Sequence, residues 1–388
     1  MQTKNPSTSQ RAGLRRTASR APLLALALAA ACGAPDRGET DAAGTATAAP
    51  APLDALRAAV VTERVKTDSD DPAIWIDPRD PSRSLVLGTD KDDTDGGVYV
   101  FSLDGRIDRA RTATGMQRVN NVDVAYGLRL GGGTVDVAVA TERNRMALRV
   151  FSLPDMRPLD GGGIPVFDGD SLRAPMGIAL YKRPSDGAVF AFVGGKSGPA
   201  NGYLWQYRLE DDGRGRVRGV KVREFGAYSG RKEIEAIAVD DELGYVYYSD
   251  ETAGIRKYHA DPDAGDEQLA FFGTHGFVRD HEGIALYRRG DGTGYILVSD
   301  QQGHRLQVFR REGEPGSPHA HPAIAVLPVA ARETDGIEVT SAPLGDAFPN
   351  GLLVMMSEDG TFHYYPWEEV EARLPARPAA KAAPAQPG

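Results

Sequence analysis

A stretch built round an aromatic anchor returns six times along this chain, and that repeat limits the fold more than any other feature. It begins with Val98-Tyr-Val-Phe-Ser-Leu, and its anchors are Phe101, Phe151, Tyr207, Tyr258, Phe309 and Tyr365. The gaps between anchors are 50, 56, 51, 51 and 56 residues. A second family of short apolar segments lies upstream in each unit, centred on Ile74, Val124, Ile178, Ile237, Ile284 and Ile337. Between the two runs a third and very apolar family, at 84–89, 135–141, 189–195, 245–249, 295–299 and 352–356. A weaker fourth follows several anchors, at 221–225, 269–273 and 323–329. Six units of four short strands predict an all-β fold, a six-bladed β-propeller with four-stranded blades. A sandwich would not give six matched units, and a helical solenoid would repeat its apolar residues every 3.6 positions. The sixth unit has no clear fourth strand after Tyr365, while 57–66 is a spare strand ahead of the first unit. The N-terminal strand is therefore expected to close the last blade, hiding two sheet edges at once.

The two ends of the chain differ from this repeat. Lys4, Arg11, Arg15, Arg16 and Arg20 precede the apolar run Pro22–Gly33, and no acid occurs before Asp36. This is the pattern of a signal peptide over 1–31. Cys32, the only cysteine, stands where a bacterial lipoprotein is cleaved and acylated. Residues 32–55 read as a flexible tether, 56–372 as the propeller and 373–388 as a disordered Ala/Pro-rich tail. The expected location is outside the cytoplasm: anchored to the bacterial cell envelope as a lipoprotein, otherwise periplasmic or extracellular. A lone cysteine leaves the domain without disulfides. Loss of the five basic leader residues would take the formal charge from −9 to −14. No basic patch suits nucleic acid, the only membrane contact expected is the lipid anchor, and a monomer is expected.

In an antiparallel blade the loop leading into the first strand and the loop leaving the second lie on one face. The polar residues concentrate in these loops. Thr67-Asp-Ser-Asp-Asp71-Pro-Ala-Ile-Trp75 opens the first blade, and Asn120-Asn-Val-Asp123, Glu233-Ile-Glu235, Asp280-His-Glu282 and Thr334-Asp335-Gly336 follow in later ones. The second set holds Lys91, Arg143, Lys196, Asp250-Glu251, Asp300-Gln301 and Glu358. Converging carboxylates with an amide suit calcium, which needs neither His nor Cys. Basic side chains among the acids suit an anion that touches the metal as well. Asp and Asn are also good turn formers in any β protein, so plain turn chemistry stays open as the other reading. The seven histidines show no zinc spacing; His319 and His321, in a Gly/Pro-rich loop, read as solvated, and strand alternation turns His281 away from its acidic neighbours. Trp75, Trp205 and Trp367 read as blade packing.

These stretches resemble the β-propeller phytases of bacteria. The resemblance runs from about Asp68 to Trp367 and rests on Asp70-Asp-Pro-Ala-Ile-Trp75, Asn120-Asn-Val-Asp123, Lys221-Val-Arg-Glu-Phe225, Asp240-Asp-Glu-Leu-Gly244, Glu282-Gly283, Gly292-Thr-Gly-Tyr295 and Thr334-Asp-Gly-Ile337 in order. It implies several calcium ions at one mouth of the propeller and release of phosphate from phytate, giving lower inositol phosphates, by water activated at the metal. Carried over by position, Asp71, Glu235, Asp250, Glu251, Asp280, Glu282, Gln301 and Asp335 would be calcium ligands or their supports. Glu235, Lys91 and Lys196 would form the catalytic centre, and Lys91, Arg143 and Lys196 would hold the substrate. The chain departs from the family pattern at Asp92, Ala125, Met176 and Ile234, three of which replace a Lys, an Arg and a Tyr. Two other classes fit a calcium-loaded propeller. One is a non-catalytic module that binds inositol phosphates or a protein partner, and the other is a calcium-dependent lactonase-type propeller.

Overall fold

The computed structural model describes residues 51–376, and within them the chain forms six four-stranded antiparallel sheets. The leader, Cys32 and most of the tether and tail lie outside the described residues. Blade one comprises Ser69–Trp75, Leu85–Asp90, Gly96–Phe101 and Ala113–Met116. Blades two to five follow the same order and begin with Val119–Leu130, Pro175–Lys182, Ile237–Asp240 and His281–Arg288. Blade six starts at Ile337–Thr340, runs through Leu352–Ser357 and Thr361–Pro366, and takes its fourth strand from Val60–Val61. The closure extends beyond that short strand. Ala59 N–H donates to Tyr364 at 2.8 Å, Thr62 to Phe362 at 3.0 Å and Val65 to Gly360 at 2.9 Å. The expected ring closure by the N-terminal segment is thus present.

The apolar residues explain why blades stack at all. Each sheet is apolar on both faces, so the core divides into six layers, one between each pair of neighbouring blades. Each fully buried aliphatic side chain contributes about 1.5–3 kcal/mol. All six aromatic anchors are buried in these layers, with Phe101 edge-on to Phe362 across the closure. The three tryptophans are buried as expected, and Trp367 stacks on Tyr287 with ring centroids 3.5 Å apart. Ala55 and Leu56 are buried, and Leu374 packs against the layer between blades five and six.

One irregularity recurs and positions everything polar. The pairing of the first strand with the second slips between Ser69 and Pro72, Val119 and Val122, Pro175 and Ile178, and His281 and Ile284. Such a β-bulge adds a residue, bends the strand and re-aims side chains. In blades four and six the strand begins only at Ile237 and Ile337, so the corresponding pairs Glu235-Ala236 and Asp335-Gly336 precede it.

Candidate active site at one mouth of the propeller

The register pairs Pro72, Val122, Ile178, Ile237, Ile284 and Ile337 each with the residue two before the end of the second strand. Counting back two positions gives a ring of equivalent residues: Asp70, Asn120, Met176, Glu235, Glu282 and Asp335. These groups are cross-linked. Asn120 Nδ2 donates to Asp70 Oδ2 at 3.0 Å and to Glu235 Oε1 at 3.2 Å. Lys91 Nζ bridges Asp335 at 2.8 Å and Asp70 at 3.1 Å. The Gln301 amide also donates to Asp335. The ring is tight enough to need glycine beside it. A Cβ on Gly177 would stand 1.6 Å from the carbonyl oxygen of Glu235, and one on Gly336 would stand 2.5 Å from Asp71 Cα.

A second repeated position supplies the outer wall. The residue just after each second strand donates its backbone N–H to the preceding loop: Lys91 to Asp68, Arg143 to Arg118, Lys196 to Arg173, Glu251 to Glu233, Gln301 to Asp280 and Glu358 to Arg332, all at 2.9–3.4 Å. Going round the ring, blades one to three therefore carry Lys, Arg and Lys at this position, and blades four to six carry Glu, Gln and Glu. Lys196 Nζ lies 2.7 Å from Glu233, whereas the Arg143 guanidinium forms no ion pair with a described residue.

The acidic half fits a divalent cation. Glu233, Glu235 and Glu251 bring carboxylate oxygens within 4.8 Å of one another, and so do Glu251, Asp280 and Glu282. Oε1 of Glu251 and Oδ1 of Asp280 are buried without a hydrogen bond, while Oε2 of Glu251 faces the Lys232 ammonium. Burial in a crowd of like charge pushes the carboxyls up: Glu235 to about 7, with Glu282 adding to the effect, and Glu251 to about 8, although Lys232 opposes the rise. Glu282 and Asp70 are also raised well above the carboxylate range, in each case chiefly by burial. Buried, unsatisfied oxygen ligands of this kind are what a hard cation satisfies.

Most of the residues expected to act together do meet here: Lys91, Lys196, Glu235, Glu251, Asp280, Glu282, Gln301 and Asp335. Arg143 occupies the same structural position as Lys91 and Lys196. Two others are engaged elsewhere. Asp71 is turned by the bulge into the wall of an axial channel, a cavity lined by Ile74, Val124, Ile178, Ile237, Ile284 and Ile337 of the six first strands and by Glu338; there its Oδ2 accepts from Val122 N at 3.1 Å, and its neighbour Asp70 takes the ring position. Asp250 is the end residue of its strand, and its carboxylate accepts from Ser229 N and Oγ at 2.9 and 2.7 Å and from Arg256 at 2.7 Å. It belongs to a third repeat. Asp90, Glu142 and Asp300 likewise accept from the backbone of Thr67, Gln117 and Val278, at 3.0, 2.8 and 3.0 Å, clasping each incoming loop.

Sequence reasoning passed over Asp70, Asn120, Glu233 and Lys232 as site groups. Aligning the loops on Pro72 and its equivalents, rather than on their acids, would have found the first two. Lys232 precedes Glu233 in sequence and carries no repeat signal. Its ammonium lies 2.5 Å from Glu251, 3.2 Å from Asp280 and 3.3 Å from Glu282. His281, as expected, faces away: Nε2 lies 2.7 Å from the Gly273 carbonyl and the ring stacks on Phe277 at 3.8 Å. His321 is buried rather than solvated, held between Lys257 Nζ at 3.2 Å and the Arg310 carbonyl at 2.8 Å.

The propeller from Dos1 and a chain of the nidogen/laminin complex are each 13% identical with a TM-score of 0.40; this chain is covered to 77% and 70%, and those chains to 68% and 85%. The 3-phytase of Bacillus subtilis (strain 168) is 28% identical over 353 residues, spanning 82% of this chain and 86% of that protein. The profile of the phytase family matches residues 24–363. The chain belongs to the phytase family.

Proposed function

We propose that this chain is an exported, calcium-dependent phosphomonoesterase that hydrolyses phytate to lower inositol phosphates and phosphate. The observation that carries this reading is the division of one mouth into Lys91, Arg143 and Lys196 on one arc and buried carboxylates on the other. A phosphate ester needs both: cationic side chains to grip its oxygens, and metal to offset the charge that develops during transfer. Glu233, Glu235 and Glu251 would hold calcium, which when bound offsets phosphate charge and makes water more acidic. The chain's own residues do the rest. Arg143, with no ion pair, offers a free planar fork for two phosphate oxygens. Lys196 exchanges Glu233 for phosphate when substrate enters. Lys91 and Asn120 fix Asp70, Asp335 and Glu235, so the ring does not reorganise as charge moves.

Water attacks phosphorus, the bond from phosphorus to the inositol oxygen breaks, a proton from the water passes to that oxygen to give the hydroxyl, and inorganic phosphate and the lower inositol phosphate are released. The test is phosphate release from phytate by residues 33–388, with calcium and then with excess chelator. Calcium-dependent release is the expected result. A calcium-raised melting temperature without release would favour the binding-module reading, since Lys91 and Lys196 are both already paired with acids.

A further inference from the structure

The two carboxylate triads at the mouth share Glu251, and they differ in what stands among them. Lys232 reaches in from the loop before blade four and places its ammonium within 3.3 Å of all three members of the second triad, Glu251, Asp280 and Glu282. This is the contact set of a bound cation. Lys232 reaches the Glu233–Glu235–Glu251 triad only through the shared Glu251, and Lys196 touches only Glu233 there. The second triad is also the better braced: Asp280 Oδ2 accepts from Gln302 Nε2 at 2.9 Å and from Arg279 Nε at 3.2 Å. Glu251 and Asp280 are only 0% and 2% exposed, so without a cation their charges would be costly to hold.

We infer that Lys232 is a built-in cation that fills the Glu251–Asp280–Glu282 triad, so that calcium enters only the adjoining Glu233–Glu235–Glu251 triad. Charge balance agrees. The two triads hold five carboxylates, and Lys196, Lys232 and Arg279 supply three positive charges against them. The two negative charges left over match one calcium ion. Lys232 is a positioning residue: it sets how many metal ions the mouth takes and keeps Glu251 turned to serve the occupied triad. The inference rests on the calcium reading above.

The test is calorimetric titration of the metal-stripped protein with calcium, for wild type, Lys232→Met and Lys232→Arg. Lys232→Met should bind one further calcium ion at the mouth, or bind calcium about tenfold more tightly or better. It should melt lower than wild type in chelator and gain more in melting temperature from saturating calcium. Lys232→Arg should behave as wild type. Equal stoichiometry, affinity and calcium-induced gain in the Met variant and wild type would overturn the inference. A wild type that binds no calcium would sink the calcium reading itself, and with it this inference. A second measurement needs no variant: acylation of lysines read by mass spectrometry. Lys232 should stay protected at saturating calcium. Labelling that rises when calcium is added would mean that calcium displaces it, and would also overturn the inference.

Discussion

Individual side chains at the mouth divide into those that face a ligand and those that hold the scaffold, and substitution separates them. The proposed function puts Lys196 and Arg143 on the ligand side. Losing a charge-assisted contact worth about 1.5–3 kcal/mol in Lys196→Ala or Arg143→Ala should lower kcat/KM for phytate about ten- to a hundredfold, with the melting temperature unchanged. A fall in stability without a fall in kcat/KM would sink that assignment. Asp250 is on the scaffold side. Asp250→Ala leaves the Arg256 guanidinium without its buried partner and should cost about 3 kcal/mol of stability, read by denaturant unfolding, while calcium stoichiometry stays the same. Glu338 gives a pH test. Burial in the axial channel, reinforced by Asp123, raises its carboxyl to about 8 from an ordinary 4.5. The folded protein therefore holds that proton more tightly than the unfolded chain. The group costs nothing below 4.5, and the cost grows as pH rises through this window and is complete above about 8. Glu338→Gln in chelator should raise the melting temperature at about pH 9 by ~4–8 °C, for a cost of about 5 kcal/mol, and leave it unchanged at about pH 4. An equal shift at both pH values would refute the titration of Glu338 as the cause.

At the scale of strands and loops, the recurring bulge decides which polar residues face the ligand. Strict alternation would send Asp71 one way and Asp70 the other; the bulge resets that parity just before Pro72. This is why the sequence identified the loops that build the mouth but named Asp71 where the ring position falls to Asp70. Composition marks a loop as acidic, but the face a side chain takes depends on one extra residue in the ladder. Asp250 illustrates the same limit, because a carboxylate that clasps a backbone and one that binds a metal look alike in sequence. The bulge also brings backbones together, and Gly177 makes that contact possible. Gly177→Ala would drive a Cβ into the Glu235 carbonyl, displacing a ring residue. Calcium affinity should fall about tenfold or more while circular dichroism still reports a folded β protein. Unchanged calcium affinity would mean that the ring tolerates the shift.

For the molecule as a whole, the closure between the two ends of the chain is the vulnerable seam. Ala59 and Thr62 hydrogen-bond to the third strand of blade six and Val65 to the turn before it, and Val65 joins the apolar layer between blades six and one. Deleting residues 1–66 removes that strand and exposes the edge of Thr361–Pro366. It should lower the melting temperature by about 10 °C or more and promote oligomers through the bare edge, seen by size-exclusion chromatography. Deleting residues 1–50 should do neither. The same seam carries Lys91, which links blade one to blade six through Asp335, so closure and site are coupled.

The sequence by itself determined the six-fold repeat, the closure by the N-terminal strand, and the face on which the acids and bases gather. Each of these follows from local patterns: apolar period, aromatic spacing and turn composition. Only the tertiary structure decided which carboxylates converge. Convergence needs residues from blades one, four, five and six to meet across a ring, and no spacing along the chain encodes the distance between Glu251 and Asp280. It also decided that Lys232, unmarked by any repeat, stands among three acids. An ammonium finds such a place only when separate loops are brought to one mouth, where buried charge must be balanced by charge.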